Sequence, residues 1–246
     1  MYLKIDGEQI NPVMFHAAGR VEYNELWVNL AQIPIEKWQT QLSVEIITWN
    51  QETNGLYNSY KKLGLFELCC DKLGVICNVL QSPVKSWQNR LKIPLTLDYL
   101  KKSSAQFIIA ADSSDVFAFG VPDPAVLDLV QCDMLFNAET QFWPSELMEL
   151  KLKEDEYEHG RFCYLNSGLW IARREYAISV FQVLNKMYEE NIYPQFPNSD
   201  QVLFKKLYIE EYPSIKIDAK CNVFFNCSHV KASDVKFQNI QHKEFI

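Results

Sequence analysis

Two carboxylates three residues apart end the apolar run Phe107-Ile-Ile-Ala-Ala-Asp112-Ser-Ser-Asp115-Val-Phe117. Such a run predicts a buried strand, and carboxylates at its carboxyl end would sit at the edge of an α/β sheet, where such folds bind ligands. Hard oxygen ligands at this spacing can share a divalent cation, Mn²⁺ or Mg²⁺, and that cation can neutralise a diphosphate. Taken alone, the pair reads better as two turn-forming aspartates after a strand.

Three later segments shift that balance: Phe136-Asn-Ala-Glu139-Thr-Gln-Phe-Trp143-Pro144, then Leu165-Asn166-Ser167-Gly168-Leu-Trp170, then Asn198-Ser-Asp200-Gln201. With Asp112 and Asp115, their order and spacing resemble the glycosyltransferase domain of the procollagen galactosyltransferase and lysyl hydroxylase group over about residues 42 to 240. The resemblance implies an α/β, GT-A (nucleotide-diphospho-sugar transferase) fold, with a Rossmann-like, mostly parallel central sheet flanked by helices. It also implies transfer of a hexose from UDP-glucose or UDP-galactose to a protein or glycan acceptor hydroxyl, with Mn²⁺ or Mg²⁺ as cofactor. Two rivals stay open: a glycogenin-like or lipopolysaccharide-type transferase with another acceptor, and a catalytically silent UDP-sugar-binding domain.

Carried onto this chain, the resemblance assigns the metal to Asp112 and Asp115. Thr48 falls where the family contacts uridine, and Trp87 matches a tryptophan near the nucleotide. Ser114 replaces the tyrosine that the animal relatives place between the aspartates, leaving Trp49 or Trp87 as substitutes for the base contact. Asn166, Ser167 and Gly168 read as a tight turn aiming an amide at a sugar hydroxyl. Gln201 completes the Asp-Gln pair. Glu139 or Asp200 would be the catalytic carboxylate, deprotonating the acceptor or stabilising an oxocarbenium-like transition state. Before Asp200 there is only Pro197-Asn-Ser, where the animal relatives carry an aspartate-rich run. The family's closing segment, Pro-x-x-x-His-x-Asn-Gly, is matched instead near the start by Pro12-Val-Met-Phe-His16-Ala-Ala-Gly19, with Ala18 in place of asparagine. One reading is a circular rearrangement that makes His16 the third ligand; the other is an ordinary histidine on a strand. His229 is a poorer alternative.

The elements that must hold these residues alternate between strand and helix, as a doubly wound sheet requires. Strands are expected at Val44 to Trp49, Val75 to Leu80, Phe107 to Asp112 and Cys132 to Phe136. Helices are expected at Leu56 to Leu73, Leu95 to Lys102, Ala125 to Val130, Glu175 to Tyr188 and Asp200 to Tyr208. Phe181, Leu184 and Tyr188 share one helical face. The Glu- and Lys-rich stretch from Leu150 to His159 reads as a solvated loop.

Length and composition set the outer bounds. The 246 residues suit a single glycosyltransferase-sized domain: residues 1–40 as an amino-terminal extension carrying the permuted strand, and 41–240 as the core. A formal charge of −7 argues against a general nucleic-acid binder. No window approaches a membrane span. Seven cysteines with no Cys-x-x-Cys pair signal neither zinc nor a disulfide framework. The start lacks the basic and apolar pattern of a secretory signal, so a cytoplasmic location is expected and the Asn226-Cys-Ser228 sequon reads as accidental.

Overall fold

The structure is a computed structural model that describes residues 2–5, 8–17, 42–50, 64–82, 87–228 and 236–238. At its centre is a six-stranded sheet built from β4 (Val44–Trp49), β5 (Cys77–Leu80), β6 (Phe107–Asp112), β8 (Met134–Glu139), β9 (Tyr164–Arg173) and β10 (Ile215–Ile217). Their order is β10-β8-β9-β6-β4-β5. Pairing is parallel except around β9, which runs antiparallel to both β6 and β8. Ile108, Ile109, Ala110 and Ala111 of β6 are all fully buried. A central strand covered on both faces has no polar alternation, which is why this run was legible as a strand.

Helices α1 (Leu65–Leu73), α2 (Lys92–Leu100), α3 (Ala125–Val130), α4 (Met148–Tyr157), α5 (Arg174–Glu189) and α6 (Gln201–Glu210) connect the strands. Trp170 of β9 meets Phe181 of α5 at 5.5 Å between ring centroids, and Phe204 of α6 meets Phe136 of β8 at 5.1 Å. Each ring is buried, and burial of one such side chain contributes about 1.5–3 kcal/mol. This aromatic cluster fixes α5 and α6 on the sheet, and with them Asp200 and Gln201. The face expected of α5 is present: Phe181 and Leu184 are fully buried, and Tyr188 packs half-buried against the core.

A second sheet of three short strands brings distant parts of the chain together. β3 (Met14–His16) lies between β11 (Phe224–Asn226), which it pairs in parallel, and β7 (Val116–Ala118), which it pairs antiparallel. A third sheet joins β1 (Tyr2–Ile5) to β2 (Glu8–Ile10) and to β12 (Lys236–Gln238), both antiparallel.

Two expectations are corrected here. Residues 148–157 form α4 rather than a solvated loop, because Glu154 turns inward to meet the buried Lys205 of α6. Asn166-Ser167-Gly168 is not a turn between elements but lies inside the continuous β9. Its register against β8 jumps from Phe136↔Trp170 to Asn137↔Asn166, so the intervening residues bulge from the ladder. Other boundaries shift by a few residues: β8 starts at Met134, β5 at Cys77 and α2 at Lys92. The first part of the helix expected from Leu56, with the turn before it, lies outside the described residues, as does His229. All seven cysteines are free thiols, buried except for the half-buried Cys77. Asn226 is fully buried, so the sequon is inaccessible in the folded chain.

Candidate active site

Three potential ligands meet because of strand register. β6 ends at Asp112, a short turn follows, and β7 begins at Val116, whose register partner is His16 of β3. The amide of Ala17 donates to the carbonyl of Asp115 at 2.8 Å, closing that junction. His16 Nε2 therefore lies 3.5 Å from Asp115 Oδ2 and 3.8 Å from Asp112 Oδ2. One ligand atom from each of the three residues falls within 4.8 Å of the others. Burial lowers the imidazole pKa, but the charge and hydrogen bond of Asp115, with Asp112, more than reverse this and hold it above the ordinary histidine value. Burial pushes the Asp112 carboxyl up, against the pull of Lys92.

Lys92, at the first position of α2, was missed by sequence reasoning. It precedes the helix expected from Leu95, where no motif singled it out. Its buried Nζ lies 2.5 Å from Asp112 Oδ1 and 3.7 Å from Asp200 Oδ2, and 5.2 Å from the centroid of Trp49. Desolvation works against its charge, but Asp112 and Asp200 outweigh it and raise the ammonium pKa.

The bulge in β9 gives Gly168 a purpose. A Cβ at that position would run into His16 Cε1 and lie 2.7 Å from Asp112 Oδ2. Glycine is therefore required by close approach, and with His16 and Asp112 it lines a cavity of about 370 Å³. Asn166, Ser167, Gly168, Asp200 and Gln201 share its wall with His16, Lys92 and Asp112.

The two carboxylate candidates are placed differently. Glu139 lies beneath the wall: its Oε1 accepts from Gln201 Nε2 at 2.7 Å and its Oε2 from Asn166 Nδ2 at 3.1 Å. Burial pushes its pKa up, opposed by Lys205 and by those amide donors. Asp200 precedes α6 at the N-cap yet makes no side-chain cap. Ser199 Oγ instead accepts from the Val202 amide. The Asp200 side chain is buried, and its Oδ2 has no hydrogen-bond partner. An aspartate at this position ordinarily caps; this one instead lies on the cavity wall.

The expected nucleotide contacts are not on the cavity wall. Thr48 is fully buried and donates its hydroxyl to the carbonyl of Ala111 at 2.7 Å, so it serves the sheet. Trp49 is buried, with Nε1 donating to Thr96 Oγ1 at 2.9 Å. Trp87 is half-buried and donates to Asn89 Oδ1 at 3.0 Å, while Ser114 lies half-buried in the turn between β6 and β7.

The family model for the PLOD GT domain matches residues 46–246, which takes in Asp112, Asp115, Lys92 and the whole β9 bulge. The chain belongs to this family. It is a glycosyltransferase, and its fold is a mixed α/β sheet flanked by helices. The family match starts beyond His16, so that member of the triad comes from outside the matched segment. Among solved structures, the glycosyltransferase resembles one described as involved in the glycosylation of the major capsid of PBCV-1, with 14% identity and a TM-score of 0.45 over 75% of this chain and 82% of that one. No curated protein matches. Among the described residues, no helix is long and apolar enough to cross a membrane.

Proposed function

We propose that this glycosyltransferase moves a hexose from UDP-glucose or UDP-galactose to an acceptor hydroxyl, with a divalent cation held by His16, Asp112 and Asp115. The observation that carries this reading is the triad, two of whose members, His16 and Asp112, line the cavity that also carries Lys92 and Asp200. One imidazole and two carboxylates suit Mn²⁺, and Mg²⁺ less well. A Cβ at position 168 would lie 2.7 Å from Asp112 Oδ2 and 3.0 Å from His16 Nε2, so the glycine keeps both ligand atoms clear. When bound, the cation supplies positive charge to the departing diphosphate.

The remaining roles belong to the chain itself. Lys92 is a permanent positive charge beside the same phosphates, desolvated and therefore strong. Asp200 presents the carboxylate oxygen that has no hydrogen-bond partner within the protein, suited to accept from the attacking hydroxyl. Glu139 is a positioning residue that orients the amides of Asn166 and Gln201. Asn166 in turn accepts from the Gly168 amide at 3.0 Å, and Gln201 from the Ser167 amide at 3.3 Å. Behind His16, the buried Asn137 approaches Nδ1 at 3.5 Å while its Oδ1 has no partner. An amide presents the same shape either way round, and with its oxygen toward Nδ1–H it fixes Nε2 as the nitrogen free to bind a metal.

The test is UDP release from a panel of UDP-sugars with and without Mn²⁺. Metal-dependent release that is lost in Asp112→Ala and Asp115→Ala supports the reading and names the donor. Release that ignores both the metal and the substitutions sinks it.

A further inference from the structure

The cavity wall divides by chemistry. Its charged side chains are His16, Lys92, Asp112 and Asp200. Each lies within 4 Å of another: His16 with Asp112 at 3.8 Å, Lys92 with Asp112 at 2.5 Å and with Asp200 at 3.7 Å. Ionic chemistry is thus concentrated where a metal and a diphosphate would lie, and both acidic groups there already face the Lys92 ammonium. The other described residues on the wall are neutral, and those farthest in character from the ionic part are the aromatic pair Trp143 and Phe196 and the exposed amides Asn89 and Asn198. Trp143 is 48% exposed, and Phe196 props it edge-on at 6.2 Å between centroids. Such a tryptophan presents apolar surface and a ring face carrying partial negative charge. That face suits the weakly positive C–H bonds of a pyranose, while amides match its hydroxyls. Among the described residues both carboxylates on this wall already face Lys92, so an acceptor bearing an ammonium, such as a hydroxylysine side chain, would compete with that lysine for its counter-charge.

We propose that the acceptor is a neutral saccharide, seated with one pyranose face on Trp143 and Phe196 and its hydroxyls within reach of Asn89 and Asn198. This assignment rests on the transferase reading of the same cavity, so its test separates the two. Saturation-transfer NMR on the full chain, with UDP and Mn²⁺ present, would compare disaccharides of glucose, galactose and mannose with a hydroxylysine-bearing collagen-type peptide. UDP release from the donor sugar would be followed in parallel with the same acceptors. The expected result is saccharide binding in the presence of UDP, weakened about tenfold by Trp143→Ala and largely retained by Trp143→Phe, as loss of an aromatic contact near 1.4 kcal/mol implies. Binding or turnover of the peptide in preference to every saccharide overturns the assignment while leaving the donor reading intact. Saccharide binding abolished by UDP also overturns it, because the aromatic pair would then belong to the nucleotide. Saccharide binding that persists in a chain releasing no UDP supports the acceptor assignment and counts against the donor reading.

Discussion

At the scale of single residues, the division of labour between Asp200 and Glu139 gives two separable outcomes. Asp200→Asn removes charge from an oxygen that accepts no hydrogen bond but lies 3.7 Å from the buried Lys92 ammonium, so it should cost about 1–3 kcal/mol of stability while kcat falls about 10²-fold or more with KM little changed. Glu139→Gln replaces an acceptor of two amide donors with a group that repels one of them. It should cost about 1–3 kcal/mol of stability and act on KM more than on kcat. Chemical denaturation beside steady-state kinetics checks both, and the reverse pattern would exchange the roles. Gly168→Ala should lower Mn²⁺ affinity by about 10–100-fold, the range seen when groups that orient metal ligands are disturbed, since its methyl group meets His16 and Asp112. Calorimetric titration with the metal alone would show it. The aspartate pair was legible because carboxylates after an apolar run are conspicuous. Lys92 was not, since a lone lysine at a helix start looks like any other surface cation until the fold buries it against two carboxylates.

At the scale of elements, α4 and the β9 bulge repeat the same lesson. Glu154 and Lys205 are both fully buried, 3.0 Å apart, and Glu154 Oε2 also accepts from the Leu165 amide at 3.2 Å, just before the Asn166 bulge. A charge run is legible as surface only if every member faces water, and one inward glutamate turned the expected loop into a packed helix. Burial pushes the Glu154 carboxyl up to about 7, more than Lys205 pulls it down. An acid whose pKa is higher folded than unfolded favours the folded state most below the unfolded value near 4.5. That contribution is lost as pH rises through the folded value. Stability should therefore fall between about pH 4.5 and 7 by an amount on the order of a few kcal/mol. Glu154→Gln should flatten the slope, and urea titrations at pH 5 and pH 7.5 on both proteins would reveal it. A wild-type slope unchanged by the substitution would refute the assignment. The Asn-Ser-Gly segment was legible as a chemical motif but not as a bulge, because its departure from the ladder depends on register with β8, a non-local property.

At the scale of the whole molecule, the strand order was legible only in outline. Alternating apolar runs gave the parallel strands, but the antiparallel insertion of β9 depends on long-range pairing that local pattern does not carry. The placement of β3 was suggested by a likeness between two short segments, and its register with β7 and β11 is what brings His16 beside Asp115. Replacing His16 with alanine should weaken Mn²⁺ binding while leaving the buried Met14 and Phe15 to hold the strand in place. A large loss of thermal stability without loss of metal affinity would mark the histidine as structural. The partners Met14 and Phe224 lie about 200 residues apart. During synthesis at about 5–20 residues per second, the segment bearing His16 therefore emerges at least ten seconds before the strand that flanks it. Until β11 has left the ribosome, β3 can pair only with β7 and its other edge stays open, so its sheet can close only then. Catalytic competence would then appear abruptly, late in translation, and truncated chains ending before residue 224 should expose an edge open to chaperones.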